Sequence, residues 1–268
     1  GANDAAMARS TLRQGIMSVF IVSALIGFIA LAISPFLPTW LGGDSSITPT
    51  SSAYFAVIAM ALPAFQFSMF GSGMLRSSGN MVVPSVMSMV MMTLDVIFNF
   101  FLIFDTRTVD VLGMSLTLPG AGMGVVGAGI GTASAELIAA SITMYILCFR
   151  NKELNLKIDR GRFLPTWDVV RRALHIGLPM GIQQTIMTSA YIVTTIIIAP
   201  LGTFAIAANS FGIIVESLCY MPGYGVSDAA TTLVGQSMGA GRHELMKRFA
   251  WLSVALGMGI MTLMGIVM

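Results

Sequence analysis

Four carboxylates, Asp95, Glu136, Glu216 and Asp228, stand within or at the rim of long apolar runs. A charged aspartate at the centre of a membrane helix costs about 2.5–3.5 kcal/mol on insertion scales. The usual escapes are a partner cation, a water-filled cavity or protonation. None of these runs carries an arginine or lysine near its middle to serve as the partner. The acids are therefore expected to bind an imported cation: a proton, sodium or a cationic substrate. Asp95 and Asn99 are spaced i, i+4 and share one helix face, offering one carboxylate and one amide oxygen. Oxygen donors suit a proton or sodium. At ~1.5 Å per residue, Asp95 falls roughly 21 Å, and Glu136 and Glu216 each roughly 18 Å, into their runs, near a bilayer midplane. Asp228 falls closer to the cytoplasmic end. The structural alternative for each acid is a helix-to-helix hydrogen bond with serine, threonine or backbone.

Further polar residues inside apolar runs are Gln66, Gln183, Gln184 and Tyr191, which are expected to line a cavity and orient substrate, or else to pack between helices. Pro63, Pro84, Pro179 and Pro222 remove a helical hydrogen bond where they stand. Pro222, beside Gly223 and Gly225, is the expected hinge, with a static kink as the simpler alternative. Five methionines between residues 81 and 92 suit an adaptable apolar surface, or plain packing against lipid. Gly122, Gly124, Gly127 and Gly131 read as a close-packing helix face. Catalysis finds no support. His175 and His243 lack the company of a metal or nucleophile motif, and GAGMGVVGAGIG opens a membrane helix with no strand before it and no lysine after it. Cys148 and Cys219 both lie in apolar runs, which argues against a thiolate metal site. No cofactor or metal is expected, apart from sodium at Asp95 and Asn99.

The elements that must position these residues are membrane helices. Of 268 residues, 56% are hydrophobic and 10% charged, too few charges to clothe a water-facing surface of this size. A net charge of +2, dispersed along the chain, argues against a nucleic-acid partner. Apolar runs long enough to span a bilayer lie at 15–38, 53–75, 81–104, 124–149, 173–200, 204–236 and 250–268. Ten-residue alternation typical of an outer-membrane barrel is absent, so the expected fold is an all-α polytopic bundle. With the amino end cytoplasmic, Arg107 alone among the 14 basic residues falls outside. The outer loops carry Asp44, Asp105 and Asp110, and Trp40, Trp167 and Trp251 stand near span ends as interfacial aromatics do. The segment 150–172 holds Arg150, Lys152, Lys157, Arg160, Arg162, Arg171 and Arg172 and reads as a cytoplasmic linker between two lobes.

Residues 1–4, GAND, and 239–242, GAGR, each stand before a basic first turn and an apolar run. If this marks an internal repeat, the first copy lacks its two opening spans and the second its later ones, since about 70 residues precede the second copy without a counterpart before residue 1. Residue 1 is a glycine, so a cut at the amino end is expected. The full arrangement would be two six-helix lobes.

The string SDAATTLVGQSMGAGRHELMKR resembles the end of the eighth helix in multidrug and toxic compound extrusion (MATE) transporters, and GANDAAMAR resembles the equivalent end of their second helix. GMLRSSGNMVVPSVM is similar to the family's turn between the fourth and fifth helices. GAGMGVVGAGIGTASAE resembles the sixth helix, and HIGLPMGIQQ with APLGTFAIAAN the seventh helix and the following turn. The resemblance implies spans three to nine of a twelve-span, two-lobe inverted V. Residues 1–149 would belong to the amino-terminal lobe, 150–172 to the linker, and 173–268 to the start of the carboxyl-terminal lobe. It also implies that Asp95 and Asn99 belong to an amino-lobe cation site. A glutamate common midway along the family's seventh helix is missing, because that stretch here reads QQTIMTSAYIVTT.

The expected function is a secondary antiporter of a bacterial inner membrane. It would expel organic cations or drugs against inward sodium or protons by alternating access, as a monomer when full length. A flippase for lipid-linked sugars from the same superfamily is the related alternative, and it would call for a more cationic cavity than these acid-bearing spans provide. A seven-span receptor is the alternative from another class, but a retinal protein needs a lysine in its last span and 250–268 has none.

Overall fold

The computed structural model describes residues 5–40, 48–111, 114–151, 154–158, 161, 163–198 and 201–267. The GAND end of the repeat, Asp44, Lys152, Arg160, Arg162, and Ala199 and Pro200 of APLGTFAIAAN lie outside the described residues. The chain falls into two compact units, Ala5–Pro165 and Thr166–Met268.

The first unit contains α1 (Ala5–Ile33), the short α2 (Leu37–Trp40), α3 (Thr48–Ser77), α4 (Val82–Ile103) and α5 (Gly124–Tyr145), which runs on as a π-helical turn, Ile146–Arg150. The second contains α6 (Trp167–Ile198), α7 (Thr203–Gly239) and α8 (His243–Val267). Each expected span is a helix. Among the described residues, six helices meet the length and hydropathy of a bilayer crossing, and α7, which carries Glu216 and Asp228, is continuous over 37 residues. Large apolar side chains such as Phe28, Met69, Met89 and Phe204 stand exposed on the helix surfaces, the pattern of a chain solvated by hydrocarbon.

Several boundaries differ from the apolar runs, for identifiable reasons. α1 stops at Ile33 rather than continuing to 38, because Pro35 has no N–H for the ladder and disfavours helical geometry in the residue before it. The Ser34 hydroxyl instead donates to the Ser52 carbonyl at 2.7 Å, tying this corner to α3. α3, α6 and α7 continue through Pro63, Pro179 and Pro222.

Two helix ends show how the turn sequences work. After α3, Gly79 takes a left-handed backbone (φ 84°), so that its N–H reaches Arg76 O and the Asn80 N–H reaches Leu75 O. After α7, Gly241 (φ 69°) does the same, with its N–H to Met238 O and the Arg242 N–H to Ser237 O. Both satisfy last-turn carbonyls in the manner of a glycine-terminated helix. The Asn80 side chain then accepts from the Val83 N–H at 3.1 Å and starts α4.

Between α4 and α5 the chain forms an antiparallel hairpin, β1 (Asp105–Val111) with β2 (Met114–Ala121), irregular in register between Asp105 and Arg107. Arg107 lies over the rings of Phe100 and Phe104, 4.9 and 4.3 Å from their centroids. The glycine series then divides. Gly122 and Gly124 have positive φ and make the turn into α5, whereas Gly127 and Gly131 face α4, so the four do not form one packing face. Gly129 faces Tyr54 of α3, and Gly71 of α3 faces Thr143 of α5. Small residues on α5 thus let α3 and α4 approach it from two sides. In the second unit, α7 packs on α8, while α6 buries none of its residues.

Candidate functional site

α4 and α5 bring together residues that are far apart in sequence. The Thr132 hydroxyl on α5 donates to Asp95 Oδ1 on α4 at 2.7 Å. One helical turn along α4, the Asn99 side-chain oxygen is buried and receives no hydrogen bond. It lies against Gly131, so close that a Cβ there would collide with it. The close approach at Gly131 is what sets the α4 oxygens against the backbone and hydroxyl of α5. Asp95 Oδ1, Asn99 Oδ1 and Thr132 Oγ1 therefore occupy one seam, and among the described residues Asp95 has no cationic partner. A carboxylate and an amide oxygen with an unfilled lone pair form a donor set for a hard cation or a proton.

Glu136 lies one turn beyond Thr132 on α5 and is buried, 6% exposed. Among the described residues it has no hydrogen-bond or ion-pair partner. The first unit thus contains two membrane-embedded acids, one with a hydroxyl donor and one without.

The other expected site residues are not gathered into this seam. Gln66 is exposed on α3. Gln183, Gln184 and Tyr191 lie exposed on α6, and Glu216 lies exposed on α7. Asp228 stands on α7, where its backbone carbonyl accepts from the Thr232 hydroxyl at 3.2 Å. All of these but Gln66 belong to the second unit. Pro222 is flanked by Tyr220 and Tyr224, whose rings meet edge to face at 5.5 Å. Gly223 faces the Met261 sulfur of α8, while Gly225 has open space at its α-carbon. An apolar groove of about 680 Å³ runs between α7 and α8, lined by Tyr220, Tyr224, Val254, Met258 and Met261 among others.

Sequence reasoning does not single out Thr132, and it marks Gly131 only as part of a close-packing helix face. Their signal was a hydroxyl and a glycine inside GIGTASAE, four and five residues before a membrane-embedded glutamate. Which helix they would meet depends on tertiary packing.

The MatE family model matches residues 1–101 and 179–268. A probable multidrug resistance protein NorM of Thermotoga maritima is 28% identical over 201 residues, covering 75% of this chain and 40% of that protein. A protein of the same name from Xanthomonas axonopodis pv. citri is 28% identical over 254 residues, covering 94% of this chain and 52% of that protein. The chain thus spans about half or less of the length of these relatives. The fold is similar to that of a MATE crystal structure in complex with MaL6, with a TM-score of 0.84 at 19% identity, over 97% of this chain and 54% of that one.

Proposed function

Because the chain belongs to the MatE family, we propose that it forms part of a secondary exporter of drugs and organic cations, driven by inward sodium or protons, with Asp95 as the coupling carboxylate. The observation that carries this reading is the seam between α4 and α5, where Asp95 is held by Thr132 beside an Asn99 oxygen with no donor. An acid of this kind in a membrane helix binds a cation at a cost set by what else can neutralise it, and among the described residues no cation pairs with Asp95. Ion and substrate then compete: the ion at Asp95 favours one arrangement of the transporter, and the organic cation favours the other. Glu136, buried on the same helix as Thr132, is the second coupling candidate in this unit. Glu216 is proposed as the corresponding acid of the second unit, with Gln66, Gln183, Gln184 and Tyr191 lining the substrate path and Pro222, Gly223 and Gly225 serving as a hinge.

The proposed location is a bacterial inner membrane with the amino end of this chain cytoplasmic, a reading supported by the distribution of basic residues. The linker assignment 150–172 and the monomeric state of the full protein belong to the same proposal. The relatives named above are resistance proteins rather than enzymes, and acids without mid-span bases favour a cationic cargo over a pyrophosphate-bearing lipid. Drug accumulation in cells expressing Asp95→Asn tests the reading. Accumulation at the level of cells without the transporter is expected, and unimpaired efflux at normal protein levels would remove Asp95 from the mechanism.

A further inference from the structure

We propose that residues 154–158 and Gly161 form a strap built into the first unit and fastened by Arg13 of α1. Composition alone marks this stretch as solvated linker, yet the structure buries its key contacts. Arg13 is only 4% exposed. Its Nη2 donates to the Leu156 carbonyl at 3.3 Å, and its Nη1 lies where a Cβ of Gly161 would project. One planar guanidinium thus bonds the Leu156 carbonyl and fills the space into which a side chain at position 161 would project. A buried cation is costly unless its N–H groups find acceptors, so the strap and the arginine hold each other in place.

The contacts beneath Arg13 are consistent with a folded element. Leu154, 3% exposed, completes the core cluster with Leu12, Leu75 and Leu147. The Asn151 side chain donates to the Ser78 hydroxyl at 3.1 Å and accepts from the Leu154 N–H at 3.2 Å. The Leu156 N–H reaches the Cys148 carbonyl at 2.9 Å, and the Lys157 ammonium lies 5.3 Å from the centre of the Phe149 ring. Releasing the strap would uncover Leu154 and leave Arg13 without the Leu156 acceptor.

This inference does not rest on the transport reading, and its test does not use transport. Hydrogen exchange is measured on the intact protein in lipid nanodiscs for the wild type, Arg13→Ala, Gly161→Ala and the double variant. The backbone of Gly161 is outside the left-handed region, so an added methyl conflicts with the guanidinium and not with the chain's own conformation. Arg13→Ala and Gly161→Ala should each speed exchange of the Leu154 and Leu156 amides by about tenfold, the scale of one lost charge-assisted hydrogen bond, with α3 and α5 amides unchanged. In the double variant, Gly161→Ala should add nothing, because the group it displaces is gone. If Arg13→Ala does not fold, Gly161→Ala alone decides. Unchanged exchange at Leu154 and Leu156, or effects of the two substitutions that multiply, would overturn the strap.

Discussion

Thr132 Oγ1 on α5 donates a 2.7 Å hydrogen bond to Asp95 Oδ1 on α4, across 37 residues of sequence. It joins the two helices through the side chain proposed to carry the coupling ion. Hydrogen bonds to charged groups contribute about 1.5–3 kcal/mol. Thr132→Val keeps the shape and removes the donor. Thermal unfolding of the purified protein should fall by a comparable amount, with weaker ion-driven efflux. Thr132→Ser should restore both, and equal behaviour of the two variants would show that the hydroxyl is not what matters.

Gly131 is expected to be intolerant of even one methyl group. A Cβ there meets the Asn99 side-chain oxygen and lies 3.2 Å from the Asn99 backbone nitrogen, so α4 and α5 must separate or Asn99 must turn away. Overpacking of this kind costs about 1–3 kcal/mol. Gly73, on α3 of the same unit, has nothing within 4 Å of its added Cβ, and Gly73→Ala should be neutral or stabilising by about 0.4–1 kcal/mol. Thermal melts of the two variants side by side separate close packing from helix propensity.

Gly79 and Gly241 end α3 and α7 in left-handed conformations. Alanine at either position should destabilise by about 1–2 kcal/mol, because Cβ crowds the following carbonyl in that region. Asparagine, which tolerates it better, should cost less. Denaturation of the four variants reads the ordering directly, and alanine matching asparagine at both sites would count against these caps.

The seven helices were legible because apolar runs of membrane length leave few other options for the backbone. Their ends were not. Pro35 ends α1 early, and α6 begins at Trp167 inside a charge-rich stretch that composition marks as linker. The hairpin Asp105–Ala121 does not stand out in the sequence, although TRTVDV and MSLTL alternate, because its place between two spans and its carboxylates mark an outer loop. Asp95 and Asn99 were legible as a pair from their i, i+4 spacing and the cost of a buried acid. Thr132 and Arg13 were not, and Gly131 was legible as a packing glycine but not as the neighbour of Asn99, since a hydroxyl, a glycine and a span-end arginine gain their partners only from the element they meet. For Arg13 that element is a loop about 140 residues further along the chain.

The most direct test of the central claim is gradient-driven export of a cationic dye from proteoliposomes containing the intact protein, wild type against Asp95→Asn, under imposed inward sodium and proton gradients in turn. The account predicts that one of these gradients accelerates wild-type export and that Asp95→Asn loses this acceleration while still binding dye. Equal acceleration in the wild type and Asp95→Asn would contradict it.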